Sequence, residues 1–377
     1  MKSVHDLIIV GAGPAGSAAA REASRLGLDT LILEKEAFPR YKACGGALSD
    51  RAVSTLGFPL PEDLCERTIT GARVHFRDRV MEKHKGYRLT TLVTRSSFDQ
   101  FLLQMAVQSG AELAAKNVLD YQEKDGCVSV KTEDCTYQSR FLVIASGCQD
   151  SLKKKVQGFE PMRTTGICMV AEIEEDDELI AKRLNNSLDV YFGVADMGYG
   201  WIFPHRGYYS VGIGGLASGL KHPRIVMQDF LKSNGFPAGV KLRGHLIPQG
   251  GNDRVTAKGR VLLAGDAAGF VDAFTGEGIY YALRSGQLAA RAIGEGPASE
   301  VADLYRMKCK NDFGEELWYA LLLSKMMHSY PNVFLRILAC QEEILDRYIE
   351  IAASKRTYKD FVRWLVPRLP MSLLRAI

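Results

Sequence analysis

Along the first 35 residues the hydrophobic pattern changes its period twice. Asp6–Val10 carries the unbroken apolar run Leu7-Ile8-Ile9-Val10, too short for a helix and closed by glycine, which predicts a parallel strand buried on both faces. The spacing then predicts a helix over about Pro14–Leu26 and a second strand over Thr30–Leu33 ending at Glu34, a βαβ opening. Ser97–Ser109 has helical spacing, with Phe98, Phe101, Leu102 and Met105 on one face. Short alternating segments over Tyr121–Thr132 predict a β-meander, and Phe141–Ala145 a further buried strand ending in Ser146-Gly147. From about Gly158 to Pro248 strand-like runs dominate: Gly166–Ile173, Leu188–Gly193, Trp201–Pro204 and Tyr208–Ile213. One helix, about Pro223–Asn234, interrupts them. Val261–Ala264 returns to the parallel type, a helix follows near Gly278–Ile293, and after Gly296-Pro297 the chain reads as helical to its end.

This order predicts an α/β fold. A discontinuous Rossmann-type nucleotide domain (1–70, 94–155 and 256–295) receives a largely antiparallel sheet as a substrate domain (71–93 and 156–255), and a helical region (296–377) follows. The 377 residues are 46% hydrophobic and 24% charged, enough for one large or two modest cores. No apolar run reaches the roughly 18 residues of a spanning helix, and the first apolar stretch is too short for a signal peptide. The eight cysteines (44, 65, 127, 135, 148, 168, 309 and 340) form no CxxC pair and no zinc spacing, which points to a reducing cytoplasm and against an iron–sulfur cluster. The net charge of +4 is smaller than the excess in the tail, where Ile351–Ile377 holds six basic residues and one acid. The rest of the chain is near neutral, which argues against nucleic acid as a partner.

Two glycine-rich segments carry the chemistry. In Gly11-Ala12-Gly13-Pro14-Ala15-Gly16, following a strand and opening a helix, Gly11 suits a tight turn, Gly13 a close approach to a pyrophosphate, and Gly16 helix–strand packing. The helix N-terminus offers free N–H groups to phosphates. Glu34, 18 positions after Gly16 and followed by Lys35, suits ribose hydroxyls and disfavours a 2′-phosphate. The second segment is Gly265-Asp266-Ala267-Ala268-Gly269, continuing to Gly276-Glu277-Gly278. Asp266 at a strand end either accepts from ribityl hydroxyls or caps a helix. The helix after Gly276 aims its N-terminus at the pyrimidine edge of a flavin, where negative charge gathers on reduction. Two grips at opposite ends of one cofactor predict FAD.

Three further segments carry a resemblance. Lys42-Ala43-Cys44-Gly45-Gly46, Arg95 through Phe98-Asp99, and Tyr199-Gly200-Trp201-Ile202-Phe203-Pro204 resemble the cysteine–glycine loop, the R-x-x-F-D segment and the Y-x-W-x-F-P motif of the geranylgeranyl reductases. These are flavoproteins of p-hydroxybenzoate hydroxylase-like fold, and they include the archaeal digeranylgeranylglycerophospholipid reductases. The similarity covers roughly residues 1–295. It implies that Ala15, Glu34, Gly45, Gly46, Arg95, Val118, Asp266, Gly278 and Ile279 line FAD. By its place before a helix, Arg95 is either a planar fork donor to a phosphate or a surface arginine at a helix start. It implies reduction of C=C bonds in geranylgeranyl lipids. Tyr199, Trp201 and Phe203 alternate along a strand, so one face presents three aromatics, either as a wall for a polyprenyl chain or as sheet core. Cys44 is the sharpest candidate for a chemical role. The proton donor stays open among Cys44, Tyr199 and a water at the flavin edge.

One departure matters. Hydroxylases of this fold carry Asp-Gly where this chain has Ser146-Gly147, which weakens direct NADPH reduction and with it hydroxylase activity. The electron donor is then a ferredoxin-like protein or NAD(P)H. Two other functions stay open: a flavin monooxygenase or halogenase, and a flavin-binding protein of the membrane surface without catalysis. In the tail, Tyr358, Phe361, Val362, Leu365 and Leu369 recur at helical spacing with Lys359, Arg363 and Arg368 between them. Such a basic amphipathic segment either lies on the inner face of an anionic membrane or docks on the core.

Overall fold

The computed structural model describes residues 4–158, 165–249, 254–330 and 342–368. Its first sheet runs, in spatial order, Ala257–Lys258, Val261–Leu263, Thr136–Ile144, His5–Val10, Thr30–Glu34 and Glu112–Ala115. Every junction from Val261–Leu263 to Glu112–Ala115 is parallel. Ile9 pairs with Val143 on one side and Ile32 on the other, and all three are fully buried. Burial on both faces is what an unbroken apolar strand requires. The meander Val118–Lys124 and Cys127–Thr132 folds antiparallel onto Thr136–Ile144. The parallel strands end beside the N-termini of two helices, Pro14–Arg25 and Ile279–Glu295, which pack against each other.

The second sheet runs Arg243–Pro248, Thr165–Glu174, Tyr208–Leu216, Gly198–Pro204, Ser187–Phe192, Gly71–Phe76 and Arg79–His84. It is antiparallel except where Ser187–Phe192 meets Gly71–Phe76, strands brought together from distant parts of the chain. A small third sheet (Ala47–Ser49, Thr90–Leu92, Arg67–Ile69) ties the two bodies together. Between the strands of the second sheet lies a helix absent from the sequence reading, Asp177–Leu184, capped by the Asp176 carboxylate accepting from the N–H groups of Glu178 and Leu179. Only Ile180 and Leu184 of this helix are buried, so two turns leave too little apolar periodicity to register.

In the tail the structure decides between the two readings of the amphipathic stripe: Tyr358, Phe361, Val362 and Leu365 are 0, 1, 7 and 2% exposed. They pack with Leu323, Met326, Ile344, Leu345 and, from the second sheet, Val74 and Phe192. The apolar face of the helix Tyr358–Leu365 is therefore core, and Leu369 lies outside the described residues. Among the described residues no helix is long and apolar enough to cross a membrane.

A single hydroxyl joins this helix to the second glycine segment. Tyr358 Oη donates to Asp272 Oδ2 at 2.6 Å, while Asp272 Oδ1 accepts from the N–H groups of Phe274 and Thr275. Asp272 is wholly buried, and that burial raises its carboxyl above the usual carboxylate range. Tyr358→Phe leaves this carboxyl one donor short. It is expected to cost about 1–2 kcal/mol, read by urea denaturation of the full chain.

Candidate active site

A cavity of about 860 Å³ runs from the carboxyl ends of the parallel strands to the underside of the second sheet. Gly11, Gly13, Ala15, Glu34, Lys35 and Val118 line one end; Cys44, Gly45, Gly46, Arg95, Asp266, Gly276, Gly278 and Ile279 line its middle. Tyr199, Trp201 and Phe203 form a wall, and Val74, Leu188, Val190, Phe274 and Tyr348 surround the far end. Gly16 and Gly265, read as cofactor residues, do not line it. They lie behind the surface, where they set the packing: a Cβ on Gly16 would stand 1.8 Å from the Gly11 carbonyl oxygen, and one on Gly265 3.0 Å from Ala15 Cβ.

At the first end Gly11 holds a left-handed φ of +96°, and a Cβ there would meet the Ala145 carbonyl oxygen at 2.8 Å. The helix Pro14–Arg25 then begins with no side-chain cap and no acid in its first turn. The helix Ile279–Glu295 begins in the same way. Pro14, Ala15, Ile279 and Ala282 all line the cavity, so two helix N-termini with free N–H groups meet in one space. That is an arrangement for an anion at each end of a ligand. Glu34 is buried and serves the loop itself, accepting from Ala12 N–H at 2.7 Å and Glu36 N–H at 2.9 Å.

Asp266 sits in the 3-10 turn Gly265–Ala267 and caps nothing. Its Oδ2 lies 3.7 Å from His245 Nε2, which Lys42 Nζ approaches to 2.6 Å. Burial opposes ionisation of Asp266, but the His245 contact and the charges of Lys42 and Arg95 hold its carboxyl below the usual range. It is thus an ionised acceptor inside the cavity. Cys148 closes the cluster, with Sγ donating to the Leu246 carbonyl at 3.0 Å. His245 and Cys148 belong to no motif, and only the pairing of the edge strand Arg243–Pro248 beside the turn after Ala145 brings them here.

Beside Cys44, Arg95 lines the cavity, and its Nε and Nη2 donate to the two oxygens of Asp99 at 2.8 and 2.9 Å. Burial works against its charge, and Asp99 together with the Cys44 thiol outweighs that, so Arg95 stays a cation beside Cys44. The Gly46 N–H donates to Cys44 Sγ at 3.4 Å.

The glycines after Cys44 face aromatic rings. A Cβ on Gly45 would lie 2.8 Å from Phe203 Cε2 and 3.4 Å from Trp201 Nε1. The ring centroids of Phe192, Tyr199, Trp201 and Phe203 follow one another at 6.2, 6.1 and 6.2 Å. Trp201 rests on Gly212 of the neighbouring strand, whose Cβ would approach its ring to 2.2 Å. The glycine alternation Gly212-Ile213-Gly214 is a sequence signal for this seat that the reading above missed. Trp201 Nε1 is buried and has no hydrogen-bond partner among the described residues, a polar atom suited to a bound molecule. Tyr199 is tethered instead: its hydroxyl donates to the Thr275 carbonyl, and burial, with Tyr348 and Asp272 nearby, pushes the phenol far above its ordinary range.

Directly after the aromatic strand, His205 contacts Glu66 through Nδ1 and the Gly45 carbonyl through Nε2, the latter at 3.1 Å, and its ring stacks on Tyr208. Glu66 also accepts from the Thr94 hydroxyl. Burial opposes the charge of Glu66, and the His205 and Thr94 contacts reverse the balance, holding its carboxyl below the usual range. His205 escaped the sequence reading because its partners, residues 45 and 66, lie far away in the chain. Ser146, where the hydroxylase pattern has Asp, hydrogen-bonds the carboxylate of Asp150 four residues on, and both line the cavity.

Two donor-bearing helix ends, an ionised Asp266 between them and an orphan indole N–H fit a dinucleotide flavin: Gly11–Ala15 and Glu34 would hold its adenosine and pyrophosphate, and Asp266 and Gly276–Ile279 its ribityl and pyrimidine parts. Comparison with known proteins agrees. Residues 6–154 match the FAD dependent oxidoreductase family. The chain is 31% identical to the digeranylgeranylglycerophospholipid reductase of Methanocella arvoryzae over 78% of each chain. It is 32% identical to the menaquinone reductase of Mycobacterium tuberculosis over 76% of each. Among solved structures, a geranylgeranyl bacteriochlorophyll reductase-like protein from Thermoplasma acidophilum superposes with a TM-score of 0.76 at 20% identity, covering 98% of this chain and 100% of that one. The flavin-dependent brominase Bmp2 shares the fold with a TM-score of 0.70 at 22% identity, over 97% of this chain and 99% of its own. The chain belongs to the geranylgeranyl reductase family of FAD-dependent oxidoreductases.

Proposed function

We propose that the protein saturates isolated C=C bonds of a geranylgeranyl chain in an isoprenoid lipid, of the kind found in archaeal membrane ether-lipid precursors. One observation carries this reading: the cavity that holds the flavin residues continues, past Trp201, into a space walled by Val74, Leu188, Val190 and Phe274. A flat apolar chain is enclosed there without stranding polar groups. The relative from Methanocella arvoryzae supports the substrate class.

FAD, when bound and reduced, supplies a hydride to one alkene carbon. An isolated alkene develops little charge for the protein to stabilise, so positioning does much of the work. Tyr199, Trp201 and Phe203 set the plane of the chain and keep water out, and the Thr275 tether fixes the Tyr199 ring as wall. The second alkene carbon takes a proton, which we assign to the Cys44 thiol. The thiolate left behind would be stabilised by the Arg95 cation and the Gly46 N–H, and it is reprotonated from solvent between turnovers. Cys44→Ala is expected to lower kcat about a hundredfold. Cys44→Ser should lower it less, and Tyr199→Phe should change it by less than about threefold. Stopped-flow reoxidation of the reduced flavin by substrate checks all three.

The electron donor is a ferredoxin-like protein or a nicotinamide nucleotide. Geranylgeranyl lipids incubated anaerobically with dithionite-reduced protein test the activity. Mass gains in steps of about two hydrogens, the sum of hydride and proton, are expected. Oxygen consumption with a hydroxylated or halogenated product would overturn the reading in favour of a monooxygenase or halogenase.

A further inference from the structure

A second concavity, about 690 Å³, opens on the outside of the flavin domain, behind the segment Gly276–Ile279 that suits the ribityl and pyrimidine parts of the cofactor. The wall between this cleft and the cavity is one residue thick. Ile279 lines the cavity and Tyr280 the cleft; Ser49 lines the cavity and Asp50 the cleft. Arg51 lines both and fills the wall, donating through Nε to Glu277 Oε2 and through Nη2 to Tyr281 Oη, both at 3.1 Å, with its guanidinium over the Tyr280 ring. A hydride donor has to lay its ring against the flavin, and packed backbone and side chains forbid that from this side. An electron donor needs no opening, because a single electron crosses a thin packed wall.

The cleft carries the charge that selects such a donor. Seven cations line it against Glu22 and Asp50, and Glu277 and Asp312 pair Arg51 and Arg284 from behind, which leaves a net charge of +3. Each lining carboxylate has a near and a far cation. Asp50 takes Arg88 at 2.7 Å and Lys355 at 3.4 Å; Glu22 takes Arg291 at 2.7 Å and Arg25 at 3.9 Å. The far pair is the surplus, and the side chains of Arg25 and Lys355 are 59 and 48% exposed, open to a partner. Farther in, Arg21 makes no ion pair among the described residues, and its buried Nε and the buried Ser354 hydroxyl have no hydrogen-bond partner there. Both suit the carboxylates of an acidic surface. We infer that the cleft is the docking site of an acidic one-electron carrier protein, which reduces the flavin through the wall. The inference rests on the flavin-reductase reading above and chooses between its two donors. Each C=C bond saturated draws two electrons and two protons: two carrier molecules are oxidised by one electron each, and both protons come from water. Exposed cations speed the encounter with an acidic partner, and salt weakens the effect.

A plant-type ferredoxin, with its two-iron, two-sulfur cluster, serves as the acidic probe. Its oxidised form should bind the full-length flavoprotein in titration calorimetry at low ionic strength. In the double charge reversal Arg25→Glu/Lys355→Glu, which keeps the near partners of Glu22 and Asp50, Kd should rise about tenfold or more, while Arg25→Lys/Lys355→Arg binds as the wild type does. The gap should close at about 0.5 M salt, where exposed charges are screened. Ferredoxin reduced beforehand and freed of dithionite should bleach the flavin anaerobically with no lipid present, and the charge reversal should slow this about tenfold while bleaching by dithionite itself stays unchanged. Equal slowing with dithionite would mean a merely structural role and overturn the proposal. Absence of ferredoxin binding or bleaching in the wild type overturns it, as does a slowing confined to bleaching by NADPH. Loss of binding to phosphatidylglycerol vesicles with ferredoxin binding unchanged would assign the cleft to a membrane and overturn it equally. Bleaching is read without a prenyl compound, so a protein that ferredoxin bleaches but that leaves prenyl lipids unreduced sinks the prenyl reading alone.

Discussion

Gly16→Ala is expected to yield a protein without flavin and destabilised by about 3 kcal/mol or more. Its Cβ would stand 1.8 Å from the Gly11 carbonyl oxygen and 3.0 Å from the Gly11 carbonyl carbon, both backbone atoms that only a shift of the helix Pro14–Arg25 can clear. That helix is wedged between the parallel sheet and the helix Ile279–Glu295, so the shift spreads to both glycine segments. Gly13→Ala is the matching control. Its Cβ would meet only the tip of Arg40, at 3.4 Å, a flexible side chain. The protein without flavin should therefore melt as the wild type does, while FAD affinity falls at least about tenfold because the new methyl occupies the approach to the pyrophosphate. Denaturation of both variants with and without FAD, together with flavin fluorescence titration, separates the outcomes. A Gly16→Ala protein that binds FAD normally would refute the packing role given to that residue.

His205→Gln should have the second largest effect. His205 is 2% exposed, and its two ring nitrogens reach Glu66 and the Gly45 carbonyl. Glutamine cannot span both, so Glu66 keeps its charge in a partly buried site with one partner fewer. The expected cost is about 3 kcal/mol. Untethering Gly45 also loosens the loop that carries Cys44, so kcat for alkene reduction should fall about tenfold or more.

A pH experiment distinguishes this account from simple loss of packing. The folded-state carboxyl of Glu66 lies below its ordinary 4.5, so its contribution is present above that value and disappears as pH falls through the lower folded value. Wild-type stability should therefore drop on acidification below about pH 4.5, and that drop should shrink in His205→Gln. An identical acid limb in both proteins would sink the proposed role of the Glu66–His205 contact.

These two cases show unequal legibility. Gly16 could be read from the chain because its partner is local: the strand, turn and helix of one βαβ unit lie within thirty residues, and their periods and glycines are written consecutively. The aromatic alternation Tyr199–Phe203 was legible for the same reason, since strand geometry alone puts three rings on one face. His205 was not legible, and neither was the arrangement of His245 with Lys42 and Asp266, because each draws partners from segments more than a hundred residues apart except the near pair His245–Asp266. For Arg95 the chain gave the position before a helix, but not that Nε and Nη2 meet Asp99, one helical turn on. The tail shows the same limit from the other side. Amphipathic spacing says that a helix has an apolar face, and it says nothing about what covers that face.

The sequence by itself determined the order of the strongly patterned elements, the two glycine grips and the flavin they imply, because these depend on neighbours in the chain. Tertiary structure alone decided that the grips, the Cys44 loop and the aromatic strand share one cavity, and that the helix Tyr358–Leu365 packs beside it as core. Those are facts of distance between remote segments, set by sheet pairing and helix packing that local periodicity does not encode.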